Sequence, residues 1–218
     1  MNKRYKLILL DFDGTLADTD EVLVQTMYVL YDKYNGGVRK SREEIKYFSG
    51  PPIDQTMAKE FPLYDRLKLL AEFNKIAIDM YPKYMKLYSG CKECLKRLKL
   101  GGYKIGLVTN KLHEPTILCL ELLEVNHLFD VCIGYDDVNI GKPSGEGILK
   151  AMSLLNITNR EDVLYVGDNY TDFLSAKDAG VDCALATWSP REYNEDCKPT
   201  FYINSYKELE EKLVNENI

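Results

Sequence analysis

The stretch LLDFDGTLADTD, Leu9 to Asp20, decides how this chain is read. The apolar run Leu7–Leu10 stops at two aspartates one residue apart, Asp11 and Asp13, followed by Gly14 and Thr15. Acids this close repel each other and are costly to desolvate. At the tip of a buried strand they either hang into water at a turn or are held together by a cation. The residues downstream decide between the two.

Short β-type runs recur downstream of Tyr5–Leu10, at Tyr103–Thr109, Val131–Gly134, Val163–Val166 and Val181–Ala186, with Phe201–Ile203 as a further edge strand. Helical patterns separate them: Cys91–Leu100, Glu114–Leu123, Glu146–Leu155, Thr171–Ala179 and Tyr206–Val214. Alternation of this length predicts right-handed βαβ crossovers, hence an α/β fold with a doubly wound parallel sheet covered by helices on both faces. One region breaks the pattern. From Asp18 to Tyr81 no strand is predicted; Glu21–Tyr34, Ser41–Phe48, Asp54–Phe61 and Leu63–Met80 all read as helix, with breaks at Asn35-Gly36-Gly37 and Ser49-Gly50-Pro51-Pro52. The expected organisation is a Rossmann-like core at 1–15 and 84–218, with an all-helical cap inserted at 16–83.

Open parallel sheets bind ligands at the carboxyl ends of their strands. The first predicted strand is followed there by Asp11 and Asp13, the second by Thr109-Asn110-Lys111, the third, through a loop, by Gly141-Lys142-Pro143, and the fourth by Gly167-Asp168-Asn169-Tyr170-Thr171-Asp172. Acids, a hydroxyl and a lysine therefore converge on one rim.

That set, in that order, resembles the haloacid dehalogenase superfamily. Asp11-Phe12-Asp13-Gly14-Thr15 is similar to its first motif, Thr109 to its second, Lys142 to its third, and Gly167-Asp168 with Asp172 to its fourth. The helical insert resembles the cap of the phosphoglycolate-phosphatase-like subgroup, and Tyr88-Ser89-Gly90 fits the return to the core. The resemblance covers nearly the whole chain and places the first strand centrally, between the second and the fourth. There are two departures: Gly145 stands where relatives often carry a second proline, and Asn169 where serine is common. Asp13 is the acid that dehalogenating members lack, so phosphate rather than halide chemistry is implied.

The resemblance implies a role for each residue. Asp11 is the expected nucleophile, giving an aspartyl-phosphate. Asp13 is the expected acid and then base. Mg2+ is expected on the Asp11 carboxylate, the Asp13 backbone carbonyl and Asp168, as suits a hard cation that prefers oxygen. Asp172 stands one shell further out. Thr109 is expected to bond the phosphoryl oxygens and Lys142 to offset the charge, since phosphoryl transfer asks mostly for positioning and electrostatics. Phe12, Asn110 and the loop Ser49, Gly50 and Pro51 are the expected substrate contacts, the loop because it is a rigid break between cap helices. The implied activity is magnesium-dependent hydrolysis of a small phosphate monoester (phosphoglycolate-like, a sugar phosphate or a nucleotide), with pyrophosphate also open. A phosphomutase of the β-phosphoglucomutase type is the alternative enzyme. A non-catalytic binding or regulatory protein is opposed by the retention of Asp11, Asp13, Thr109, Lys142 and Asp168.

Bulk properties set bounds. The chain has 218 residues, 45% hydrophobic and 28% charged, with net charge −6. A chain this long buries roughly 70% of its unfolded surface and needs no staples. The acidic balance opposes nucleic-acid or anionic-membrane partners, leaving a small phosphorylated metabolite, with a monomer or homodimer expected. No apolar run approaches membrane-spanning length, and six cysteines without a recognisable secretory signal read as reduced thiols in the cytoplasm. Other features have plain structural readings. Cys91 and Cys94 share a helix face and read as core. His113 and His127 read as structural or surface residues. The GKPSGEG segment at 141–147 imitates a phosphate loop, but Pro143 stands where the metal-binding hydroxyl belongs. Trp188 is expected to line the site mouth or to pack beneath the sheet edge.

Overall fold

The computed structural model describes residues 5–189, 191 and 193–215. Residues 1–4, the basic N-terminus of the sequence, and 216–218, at the end of the expected core range, lie outside it. Six strands form one parallel sheet: β1 (Leu7–Leu10), β4 (Lys104–Val108), β5 (Val131–Ile133), β6 (Val163–Gly167), β7 (Asp182–Ala186) and β8 (Phe201–Ile203), in the order β5-β4-β1-β6-β7-β8. β1 is central, between β4 and β6, as the resemblance implied. Leu10 pairs in register with Leu107 on one side and Val166 on the other. The residues just past these pairs therefore leave the sheet at one level, which is what gathers Asp11, Thr109 and Asp168.

β1 reads as an unbroken apolar run because both its faces are covered. Leu7 and Leu9 face a core with Tyr165, Ile148, Ala151 and Phe173, roofed by α7 (Glu146–Leu154) and α8 (Tyr170–Ala179). Ile8 and Leu10 face the opposite core with Ile105, Leu107 and Val166, covered by α5 (Cys91–Leu100), α6 (His113–Leu122) and α9 (Tyr206–Asn215). Cys91 and Cys94 are free, buried thiols of that second core.

The helical insert leaves and rejoins the core through a two-stranded antiparallel ribbon, β2 (Ala17–Asp18) with β3 (Lys86–Leu87). Between them lie α1 (Asp20–Tyr34), α2 (Arg42–Lys46), α3 (Ile53–Glu60) and α4 (Arg66–Tyr84). α1 packs along α4 through Leu23, Met27, Leu30, Phe73 and Ala77. Two bounds differ from the sequence expectation. α2 is shorter than Ser41–Phe48: Ser41 is its cap, in a capping box with Glu44, and at the other end the Phe48 and Ser49 N–H groups turn to the carbonyls three residues back, Ile45 at 2.9 Å and Lys46 at 3.2 Å. α4 begins later than Leu63, where the Asp65 carboxylate accepts the Lys68 N–H at 2.9 Å. It then runs past Met80 through Pro82, and the Met85 N–H closes it on the Tyr81 carbonyl at 3.0 Å.

Candidate active site

Asp11 follows β1 directly and is buried. The Lys142 ammonium lies 2.7 Å from its Oδ1 and 2.6 Å from Asp172 Oδ1. Asp172 stands in the first turn of α8, where its Oδ2 accepts the backbone N–H groups of Asp168 (3.1 Å) and Asn169 (2.9 Å). The Tyr165 hydroxyl sits 3.1 Å from Asp172 Oδ1 and 2.9 Å from the Val108 carbonyl. Both Asp172 oxygens are thus occupied, and their effect is to aim Lys142 at Asp11. Burial pulls the Lys142 pKa down, but Asp11 and Asp172 together hold it above the ordinary lysine value, so the ammonium stays charged.

Asp168 follows β6. The Thr15 hydroxyl donates to its Oδ1 at 3.3 Å, and the Arg191 guanidinium Nε lies 3.2 Å from its Oδ2. That buried Oδ2 accepts no hydrogen bond. It comes close to the Asp11–Gly14 turn because residue 14 is glycine: with φ at +81°, a Cβ there would fall 2.1 Å from Asp168 Oδ2. Carboxylate oxygens of Asp11, Asp168 and Asp172 lie within 4.8 Å of one another. Burial first, then the charges of Asp172 and Asp168 against the relief given by Lys142, pushes the Asp11 carboxyl up to about 8. Burial and the charge of Asp172 push Asp168 up to about 7. An all-oxygen cluster whose charge is incompletely balanced, in which the buried Asp11 Oδ1 and Asp168 Oδ2 accept no hydrogen bond and are met only by the ion contacts of Lys142 and Arg191, fits a hard divalent cation. Asp11 and Asp168 are the side chains open to it. Asp172 is engaged with Lys142 and the α8 N-terminus.

Asp13 is less buried than its neighbour and faces the cleft. Its Oδ1 accepts the Thr19 hydroxyl at 2.6 Å and lies 3.5 Å from the Lys111 ammonium. Thr109, past β4, accepts the Lys111 N–H on its Oγ1 at 3.2 Å, which leaves the hydroxyl proton available to a ligand. The other expected contacts are placed unequally. The Phe12 side chain is wholly buried in the core, so only its backbone faces the rim. The Asn110 amide is committed: it donates to the Gly50 carbonyl (3.0 Å) and the Lys142 carbonyl (3.1 Å) and accepts the Lys142 N–H (2.8 Å). Ser49, Gly50 and Pro51 do reach the cleft, and the Asn169 amide donates to the Ser49 carbonyl at 3.3 Å. The resulting cleft has a volume of about 90 Å³, with Asp11, Asp13, Thr109 and Lys142 on its floor and helices α1 and α4 on its far wall.

Sequence reasoning assigned no role to Lys111, Tyr165, Thr19 or Arg191. Arg191 joins Asp168 to Asp20, at 3.0 Å, and so ties the rim to the first turn of α1. Tyr165, Lys111 and Arg191 carry no local signal, because each acts across separate segments. Trp188 packs between the turn after β1 and α9 and is not among the residues lining the cleft: its Nε1 donates to the Gly14 carbonyl at 3.1 Å and its ring stacks on Tyr206 at 5.0 Å. The His113 Nδ1 lies 2.5 Å from Asp137 Oδ2, away from the acids of the rim.

Residues 8–186 match the family model for haloacid dehalogenase-like hydrolases. The chain belongs to this family. Pyrophosphatase PpaX of Bacillus cereus (strain G9842) is 32% identical over 218 residues, spanning 98% of this chain and 99% of its own. PpaX of Bacillus anthracis (strain CDC 684 / NRRL 3495) is 31% identical over 207 residues, 93% of each chain. Among solved structures, a haloacid dehalogenase-like hydrolase from Bacteroides fragilis superposes with a TM-score of 0.85 at 27% identity, covering 94% of this chain and 99% of the other. The fold is shared with a predicted phosphoglycolate phosphatase from Haemophilus somnus, TM-score 0.88 at 21% identity, covering 97% and 99%. The expectation of a phosphatase-type hydrolase holds, and no described helix is long and apolar enough to cross a membrane.

Proposed function

We propose that this protein is a magnesium-dependent, cytoplasmic phosphatase that hydrolyses a small phosphorylated metabolite through an aspartyl-phosphate on Asp11. The observation that carries the reading is the Asp172–Lys142–Asp11 chain at the tip of β1, beside Asp168, whose buried Oδ2 accepts no hydrogen bond and meets only the Arg191 guanidinium. Asp11, Asp168 and the Asp13 backbone carbonyl would hold Mg2+, which when bound supplies charge neutralisation for a phosphoryl group. An Asp11 oxygen attacks phosphorus, the bond to the leaving oxygen breaks, and Asp13 gives that oxygen its proton. Asp13 then takes a proton from the water that attacks the phosphoenzyme, releasing phosphate and restoring the Asp11 carboxylate. Lys142 neutralises Asp11 and the incoming phosphoryl oxygens, and the free Thr109 proton bonds one of those oxygens. The Phe12 backbone N–H is the remaining donor at the strand tip.

The small cleft supports water rather than a sugar hydroxyl as acceptor; about 90 Å³ is little beside the roughly 300–1,000 Å³ of common small-molecule pockets. Residues 16–83 act in this reading as a cap over the core of 1–15 and 84–218, opening at the β2–β3 ribbon to exchange substrate and closing to exclude bulk solvent while admitting the attacking water. The relatives named as pyrophosphatases support inorganic pyrophosphate as a substrate alongside small esters. The test is phosphate release from pyrophosphate, phosphoglycolate and p-nitrophenyl phosphate. Release is expected with Mg2+, should be abolished by chelator and should return on adding Mg2+. Full release in metal-free buffer would rule the reading out.

A further inference from the structure

One buried cation joins the two parts of the chain. Arg191, past β7, has a side chain only 4% exposed, and its guanidinium meets two carboxylates. Its Nε lies 3.2 Å from Asp168 Oδ2, on the core side. A terminal nitrogen donates to Asp20 Oδ1 at 3.0 Å, in the first turn of α1. Asp20 stands beyond β2, so this second contact crosses the hinge ribbon. Apart from the contact of Lys86 with Asp18 within the ribbon, at 3.9 Å, it is the one ion pair between the helical insert and the core among the described residues. The seating of α1 therefore draws on the same guanidinium that meets Asp168.

The two carboxylates are not equivalent. The Asp168 side chain is 2% exposed, and its Oδ2 accepts no hydrogen bond, so it meets the guanidinium as an ion contact alone. The Asp20 side chain is 18% exposed and accepts a hydrogen bond. Asp168 also faces a second demand, from the divalent cation that its cluster with Asp11 fits. That cation and Arg191 draw on one carboxylate and repel each other, at a depth where charges are little screened. A buried guanidinium is costly without carboxylate contact. As the cation takes up the charge of Asp168, the hold of Asp20 on Arg191 grows relative to it.

Resting on the metal-dependent reading above, we propose that Arg191 is a positioning residue that couples the metal site to the cap: a cation on Asp168 shifts the guanidinium toward Asp20 and seats α1 more firmly on the core. Coupling of this kind is reciprocal. Arg191 opposes the cation at Asp168, and Asp20 favours it by drawing Arg191 away. Substitutions at the two ends of this contact therefore change Mg2+ affinity with opposite signs, and the effect of Asp20 exists only while Arg191 is present.

The experiment titrates Mg2+ into the full chain by calorimetry, without substrate, and follows hydrogen exchange at the Leu23–Met27 amides of α1 with and without Mg2+. Arg191→Gln is expected to bind Mg2+ about fivefold or more tighter than wild type, and Asp20→Asn about fivefold or more weaker, the lower end of ordinary coupling between sites. The double variant should match Arg191→Gln, because Asp20 acts through the guanidinium; a long-range effect of its charge would instead add in both backgrounds. Mg2+ should slow exchange in α1 of the wild type and leave it unchanged in Arg191→Gln. Weaker Mg2+ binding by Arg191→Gln overturns the inference, since Arg191 would then be a prop for Asp168, and so do additive effects of the two substitutions. Exchange in wild-type α1 that Mg2+ leaves unchanged or quickens also overturns it, and this arm needs no variant to fold. A wild-type chain that binds no Mg2+ overturns the metal-dependent reading and the inference with it, whereas Mg2+ binding accompanied by any of the failures above overturns the coupling alone.

Discussion

Asp11 and Asp168 carry opposed demands at the residue scale. Each is buried beside other acids, and each is held well above the carboxylate value of 3.8, at about 8 and about 7. Lys142 and Arg191 relieve the repulsion from one side only. A native carboxyl whose pKa is raised binds a proton that the unfolded chain releases, so its contribution to stability is present at low pH and lost as pH rises through the folded value. Metal-free protein should therefore lose stability between about pH 4 and about pH 8, by an amount on the order of a few kcal/mol. Mg2+ should restore most of it at the upper end, where both carboxylates are charged. Thermal denaturation at pH 5.5 and pH 8, with Mg2+ and with chelator, measures both effects. A melting temperature that is flat or rises with pH in chelator would contradict this electrostatic picture. The acids themselves were legible in the sequence, because a pair at 11 and 13 on the end of an apolar strand calls for a counter-charge. The partners that tune them were not. Tyr165 looks like any strand residue, and Arg191 follows a loop with no local pattern; both acquire meaning only when β6 and the segment after β7 lie side by side.

At the scale of elements, the loop between α2 and α3 is held on the core by two asparagines from different strand ends. Asn110 donates to Gly50 and Asn169 to Ser49. The fit depends on glycine: Gly50 has φ of +112°, and a Cβ there would lie 2.4 Å from the Asn169 amide nitrogen. Two such bonds contribute about 1–3 kcal/mol together, enough to bias a closed cap without locking it. Asn169→Ala should loosen this contact and Gly50→Ala should break it, the latter with a local strain of about 1–3 kcal/mol. Hydrogen exchange should then quicken at residues 48–53 while the β1 and β6 amides keep their protection. Unchanged exchange in that loop would show that packing of α1 and α4, not the asparagines, holds it. The Ser49-Gly50-Pro51-Pro52 break was plain from composition. Its anchors were not, since Asn110 reads as a substrate contact until its amide is seen to be occupied by backbone groups. The starts of α2 and α4 were displaced for a similar reason: the capping side chains of Ser41 and Asp65 decide them, and periodicity alone does not register caps.

At the scale of the whole molecule, the alternating pattern sufficed for the parallel sheet, because a buried strand and a crossover helix each leave a strong apolar signature. It also sufficed for the helical insert, which interrupts that alternation once. What it could not supply is how the two parts meet: the β2–β3 ribbon is only two residue pairs long, too short to show as a strand pattern. The central claim is that this architecture brings a nucleophile and a separate proton carrier together at one rim, Asp11 to attack and Asp13 to shuttle protons. The two acids should therefore fail differently. Asp13→Asn keeps the nucleophile and, through its backbone carbonyl, the same main-chain ligand. p-Nitrophenyl phosphate needs little help from an acid to lose its leaving group, so it should still phosphorylate Asp11 in that variant, and the intermediate should persist without a base to activate water. The direct measurement is rapid mixing of each variant with p-nitrophenyl phosphate and Mg2+, following nitrophenolate absorbance and the intact mass of the quenched protein. The account predicts a burst with one added phosphoryl group in Asp13→Asn and neither in Asp11→Asn. A phosphorylated Asp11→Asn protein, or the absence of any adduct in Asp13→Asn under saturating Mg2+, would contradict it.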